Sequence, residues 1–252
     1  MVQIKEGKKQ PRCVIDVKGI EEVGRLTLSR DELSIGALTS IRALETSSPV
    51  LEKVPLLGQA AAKLGSVQIR HRATIGGNLC NASPAADTAP PLLVMDAEVS
   101  ILGPTGSRVV PLKDFFLGPG KTVLSKSEIL TEVRIPPFKG KTGTAFIRLS
   151  RASMDIAKIS IAVLLQFEGE KVTSAKIALG SVAPTPILAD RAAQILIGKN
   201  LTKETIASAA ETVADEIRPI TDIRGTAEYR KEVSHVIAQD ALEVARRRAK
   251  EN

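Results

Sequence analysis

The segment Ala73-Thr74-Ile75-Gly76-Gly77-Asn78 groups residue types suited to holding a phosphate. Gly76 and Gly77 remove two successive Cβ atoms, so backbone N–H groups can approach an anion and the chain can take torsions that side chains forbid. Thr74 and Asn78 add side-chain donors to the same anion. Asp87 follows nine residues after Asn78, shortly before the apolar run Leu92-Leu93-Val94, and a carboxylate there can accept hydrogen bonds from sugar hydroxyls. The Gly-Gly pair alone is equally compatible with a tight turn. Just upstream, Gln68-Ile69-Arg70-His71-Arg72 offers three side chains able to carry positive charge, either as help for an anion or as a solvated basic edge.

Other chemistries find little support. His71 and His235 are the only histidines, which leaves no metal triad and no second site for a Ser-His or Cys-His relay. Cys13 and Cys80 lie 67 positions apart, neither a disulfide framework nor a metal-ligand spacing. A [2Fe–2S] cluster takes about four cysteine ligands, so any such cluster must sit on a partner. Cys80 reads as a small packing residue. The net charge of +7 is spread among 28 acidic residues, and with 2% aromatic residues no base-stacking platform can be assembled, so nucleic acid is not expected. The cluster Arg246-Arg247-Arg248 with Lys250 closes a long helical pattern, where solvated cations complement the helix dipole. No apolar run approaches a membrane span, and the Lys5, Lys8 and Lys9 region is not a secretory signal, so the expected compartment is the cytoplasm.

The 252 residues suffice for one large domain or two modest ones. Pro136-Pro137-Phe138-Lys139-Gly140 punctuates the pattern and divides the chain into residues 1–140 and 141–252. In the first part, strands are expected at residues 14–17, 25–28, 33–35, 97–102, 108–111 and 129–135. Helices are expected from Ser48-Pro49 through Leu51, Val54, Leu57 and Ala61, and over residues 88–95. The second part opens with strands near 145–150, 159–167 and 172–179, the latter two joined by a turn at Glu168-Gly169-Glu170-Lys171. Helices near 188–197, 203–217 and 226–249 follow, the last aligning Val233, Val236, Ile237, Ala241 and Val244 on one core-facing stripe.

The run TIGGNLCNASPAAD, followed by APPLLVMDAEVSILGPTGSRVVPLKDFF, SEILTEVRIP and SRASMDIAKISIAV, resembles the FAD-binding medium subunit of the molybdenum hydroxylases, from about Val14 to the C-terminal helix. The resemblance implies an α+β fold: a PCMH-type FAD-binding domain, then a carbon monoxide dehydrogenase flavoprotein-type domain with antiparallel sheet and helices. It implies FAD as cofactor and cofactor-binding roles for Ile69, Thr74, Ile75, Gly76, Gly77, Asn78, Asp87 and Leu130. Leu130 corresponds to an aliphatic residue packed on the isoalloxazine ring, although a plain strand-core leucine fits the sequence as well. Residues 150–158 correspond to a segment near the flavin that affects acceptor access, with Ile156 where some members have tyrosine.

The resemblance further implies partners: a large subunit with molybdopterin and a small subunit with two [2Fe–2S] clusters, in a hetero-oligomer. The family grips the FAD pyrophosphate with a further loop, of Ala-Gly-Gly type, upstream of the segment corresponding to Met1–Gly7. That loop is not among these residues, so the expectation is that it belongs to a longer native polypeptide or another chain, and that FAD is held weakly without it. The implied function is electron transfer from the clusters through FAD to an external acceptor. A structural or assembly subunit without FAD, and a self-contained flavin oxidase, are the competing readings.

Overall fold

The computed structural model describes residues 2–8, 10–29, 32–138 and 140–251. After a short helix α1 (Val2–Lys5) and an irregular stretch, strands β1 (Leu26–Ser29) and β2 (Glu32–Gly36) form a hairpin. Six short helices follow: α2 (Ile41–Thr46), α3 (Ser48–Lys53), α4 (Pro55–Lys63), α5 (Val67–Arg72), α6 (Ile75–Cys80) and α7 (Ala89–Val94). Then come β3 (Glu98–Gly103), β4 (Gly106–Pro111), a small ribbon of β5 (Phe116–Gly118) with β6 (Lys121–Thr122), and β7 (Ile129–Ile135). The second part holds β8 (Lys141–Leu149), β9 (Ile159–Glu168), β10 (Lys171–Gly180), β11 (Ile187–Leu188), α8 (Asp190–Leu196), α9 (Lys203–Glu216) and α10 (Ala227–Glu251).

Local chemistry explains the short helices. Ser40, Ser66 and Thr74 each cap a helix, their hydroxyls accepting from the amides of Ala43, Ile69 and Gly77. Pro49, Pro55 and Pro90 stand in first turns, where the missing N–H is not needed. Pro55 also breaks the single helix expected from Ser48 to Ala61, because it holds Val54 at φ −136° and ψ 56°, outside the helical region.

The first sheet has the order β1-β2-β7-β3-β4, antiparallel throughout, and packs its inner face on the helices. A register shift against β3 leaves Thr131 as the extra residue of β7. This bulge turns Leu130 and Val133, three residues apart, toward the same core, which strict alternation forbids.

The second sheet, β11-β10-β9-β8, is covered on both faces. Along β9, Ile159, Ile161, Val163 and Leu165 meet α8, α9 and α10, while Ala162 and Leu164 join the core of the first part. Residues 161–165 therefore read as one apolar run, as a strand buried on both sides does. Arg248 of α10 donates to Gln59 Oε1 of α4 and to the Thr144 carbonyl, each at 2.9 Å, further joining the two parts.

Several expectations are corrected. Residues 14–17 are not a strand: among the described residues no neighbouring strand takes up their backbone groups, and Ile15 is 80% exposed. Val236 falls outside the buried face of α10, which is Ile237, Ala238, Ala241, Leu242 and Ala245. The basic cluster is not simply solvated, since Arg246 donates to the Leu201 carbonyl and Arg248 spans the two parts. Lys9 and Lys139 lie outside the described residues.

Gly143 of β8 lets α10 lie directly on the strand, because a Cβ there would overlap the Ala245 carbonyl and reach 2.9 Å from the Ala249 Cβ. Gly143→Ala is expected to lower stability by about 1–3 kcal/mol through overpacking, measured by urea unfolding; an unchanged midpoint would show that helix and strand are not so closely apposed.

Candidate functional site

The Gly-Gly segment is not a loop but the first turn of α6, capped by Thr74. Its amides are already used: Ile75 N–H donates to Thr39 O, Gly76 to Ala37 O, Gly77 to Thr74 Oγ1 and Asn78 to Thr74 O. The cradle of free backbone donors expected from the sequence is thus replaced by side-chain donors. Thr74 Oγ1 accepts from Gly77 and keeps its own proton for a ligand. Asn78 Oδ1 accepts from Thr88 Oγ1 at 2.6 Å, which leaves the amide nitrogen to donate.

The two glycines do different work. A Cβ on Gly76 would sit 2.7 Å from Ala37 Cβ and 2.8 Å from Ala37 O, so this glycine seats α6 against the segment after β2. A Cβ on Gly77 would meet only Thr74 Oγ1, at 3.0 Å, and Gly77 is exposed. Only the second glycine therefore leaves open space for a ligand. Ile75 is buried core, and Ile69 is half exposed with its side chain over Gly65. Leu130 is 6% exposed within the first core, which favours its packing role.

The Asp87 carboxylate, expected to accept from sugar hydroxyls, is largely buried. Its side chain is 8% exposed and its Oδ1 accepts from Arg148 Nε at 3.0 Å, the Arg148 side chain being 3% exposed. Burial pushes the Asp87 carboxyl up to about 6, against the opposing charge and hydrogen bond of Arg148. Arg148 was missed in the sequence, although a lone arginine inside the apolar strand Ala145-Phe146-Ile147-Arg148-Leu149 signals a buried partner. The remaining Arg148 donors reach Ser150 Oγ, Ser153 O and Asp155 O.

Thr74, Gly77, Asn78 and Asp87 thus share one linked region. Thr131 O next to Leu130 accepts from Ala37, Ala37 O accepts from Gly76, Asn78 is bonded to Thr88 beside Asp87, and Asp87 is bonded to Arg148. Beside it opens a cleft of about 230 Å³ whose walls include Pro84, Ala85, Ile156, Ala157, Ser181 and Arg230. Ser181 holds this edge together: its N–H donates to Pro84 O, its hydroxyl to Ala157 O, and its carbonyl accepts from Arg230 at 2.8 Å. Ser181 adopts φ +66°, a conformation kept by these three bonds and invisible in the sequence.

The cations before α6 separate. Arg70 is buried, with Nε and Nη2 on the Glu45 carboxylate and Nη1 on the Leu64 and Gly65 carbonyls, so it braces the fold and does not serve an anion. Burial acts to raise the Glu45 pKa, but the bonds and charges of Arg70 and Arg42 outweigh it and hold the carboxyl below its usual value. His71 and Arg72 are exposed. Burial pushes the Cys80 thiol up to about 11, so it stays protonated and packs as expected.

Residues 1–138 match the family described as FAD binding domain in molybdopterin dehydrogenase, and residues 144–245 match the CO dehydrogenase flavoprotein C-terminal domain. The chain belongs to the FAD-binding medium subunits of the molybdenum hydroxylases. It is 34% identical to the carbon monoxide dehydrogenase medium chain of Hydrogenophaga pseudoflava, over 94% of this chain and 82% of that one. It is 32% identical to the xanthine dehydrogenase FAD-binding subunit of Escherichia coli, over 97% and 85% of the two chains. Its fold superposes on the solved carbon monoxide dehydrogenase of H. pseudoflava with a TM-score of 0.94, covering 97% of this chain and 85% of that one at 34% identity.

FAD is the cofactor of this family. The residues of this medium subunit fit it in part through donors and in part through space: Thr74 and Asn78 carry free donors, Gly77 leaves an opening that a Cβ would fill, and Asp87 has one oxygen beyond its bond to Arg148.

The glycines yield a paired prediction. Gly76→Ala is expected to destabilise the fold by about 1–3 kcal/mol. Gly77→Ala should leave stability unchanged or raised by about 0.5–1 kcal/mol, as removal of a helical glycine does, while weakening FAD; thermal unfolding with flavin titration checks both, and equal effects at the two positions would refute the assignment.

Asp87 generates a pH prediction. A carboxyl with pKa about 6 when folded and 3.8 ordinarily binds its proton more tightly in the folded chain. Its contribution to stability is present below the ordinary value and is lost as pH rises through 6. Relative to Asp87→Asn, which cannot titrate, the native chain is expected to lose about 2–3 kcal/mol on going from acid to neutral pH; parallel urea-stability profiles would contradict this.

Proposed function

We propose that this chain is the electron-transfer subunit of a molybdenum hydroxylase complex acting in the cytoplasm. In this reading substrate is oxidised at a molybdopterin on a large subunit, and electrons arrive from two [2Fe–2S] clusters on a small subunit and leave to an external acceptor. FAD, when bound, supplies the exchange between one-electron and two-electron chemistry. Residues 1–140 form its binding domain and residues 141–252 the C-terminal domain.

The observation that carries the reading is the placement of Asn78 against Thr88, next to the Asp87–Arg148 pair. It sets donors for a pyrophosphate beside an acceptor for sugar hydroxyls, at the edge of a cleft. Thr74 and Asn78 hold the anion, Asp87 the sugar, and the adjoining cleft presents apolar walls at Pro84, Ala85 and Ile156. Among the described residues no cluster of three or more His, Cys, Asp or Glu could hold a metal, and no helix is long and apolar enough to cross a membrane. A second reading, an assembly subunit without FAD, is favoured by the internal use of all four amides from Ile75 to Asn78.

Thr74→Val separates the two. It removes the α6 cap, at a cost of about 1 kcal/mol, and a ligand donor, which should weaken FAD by about 1–2 kcal/mol, roughly 5–30-fold. Thr74→Ser should preserve both. In the assembled complex the Val variant is expected to slow delivery to the acceptor and spare cluster reduction by substrate. A native complex with no visible flavin absorbance would establish the assembly reading instead.

A further inference from the structure

The Arg148 side chain touches both the proposed sugar-binding carboxylate and the segment forming a wall of the neighbouring cleft. Its Nε is committed to Asp87, at 3.0 Å. Its Nη1 donates to Ser150 Oγ at 3.0 Å and to Ser153 O at 3.4 Å, and its Nη2 to the Asp155 carbonyl. The next residues, Ile156 and Ala157, line the cleft, and Ala157 O is pinned from the far side by Ser181. Within residues 150–155, the Ser150 hydroxyl and the Asp155 amide both donate to the Ala152 carbonyl and Arg151 pairs with Asp155 on the surface, so these bonds stay inside the segment, and Met154 is exposed.

We propose that Arg148 is a positioning residue that couples occupancy of the flavin site at Asp87 to the conformation of residues 150–157, and so sets the shape of the neighbouring cleft. This rests on reading residues 74–88 as the flavin site. The physical basis is the guanidinium itself, a planar, rigid fork whose Nε edge and terminal nitrogens are fixed relative to one another. A ligand hydroxyl on the second oxygen of Asp87 fixes the carboxylate plane; that fixes the Arg148 plane, and with it the carbonyls at Ser153 and Asp155. A lysine could satisfy the charge of Asp87 but, as a compact point charge, could not reproduce the fork.

The test exploits that difference. Hydrogen exchange at the amides of residues 150–158 is measured for the full native chain and for Arg148→Lys, with and without saturating FAD, alongside a titration of FAD binding by flavin fluorescence. In the native chain FAD is expected to slow exchange in this segment. Arg148→Lys should keep FAD affinity within a few-fold, yet raise exchange about tenfold and abolish its dependence on FAD. The double variant Asp87→Asn/Arg148→Met, which leaves no buried unpaired charge, should also exchange rapidly with or without FAD. Native-like, FAD-dependent protection in Arg148→Lys would overturn the coupling while leaving the functional reading intact. Failure of the native chain to bind FAD at any concentration, alone or with its partner subunits, would overturn the reading and the coupling together.

Discussion

The second sheet has no solvent face, and most of the molecule follows from that. A strand such as β9, apolar on both sides, must be covered twice: by α8, α9 and α10 on one face, and by α7 and its neighbours from the first part on the other. This places residues 83–88, which lead into α7, against the ends of β8 and β10. The candidate site forms at that junction because buried apolar area required the two parts to meet there. Loss of apolar surface to water, at about 25 cal/mol per Å², favours that contact.

Within that junction the Asp87–Arg148 pair sets direction. Taking both charges out of water is expensive, and a buried pair of this kind is weak as a source of net stability. Breaking it is another matter, because removing one partner strands the other charge, typically at a cost of 3–5 kcal/mol. The pair therefore ties residue 87, just before α7, to β8, and Arg148 extends the tie to the segment after β8. The raised pKa of Asp87 is the mark of that desolvation.

The relation to carbon monoxide dehydrogenase and xanthine dehydrogenase subunits gives these contacts a context but does not explain them. Gly76 is small because Ala37 leaves no room, Gly77 because the space above it is open, and the two causes lie on opposite faces of one helical turn. A motif that unites both residues conceals that one seats the helix against Ala37 while the other faces open space. Arg70 makes the same point: it sits among cations near the Gly-Gly segment, and its guanidinium is wholly engaged in bracing Glu45 and two carbonyls.

The alternating and apolar runs of β2, β3, β7, β9 and β10, the hairpin at Gly169 and the three C-terminal helices were legible in the sequence, because local periodicity and turn chemistry determine them. The family and the segment from Thr74 to Asp87 were legible for the same reason, as motifs contiguous in the chain. The tertiary structure alone decided the rest. The bulge at Thr131 that turns Leu130 inward depends on pairing with β3, and residues 14–17 run irregularly with no pairing strand among the described residues. Asp87 and Arg148 stand 61 residues apart, and their meeting depends on which faces of the second sheet are covered. Burial, partner and titration of a charged group are properties of assembled surfaces, and no local pattern of residue types encodes them.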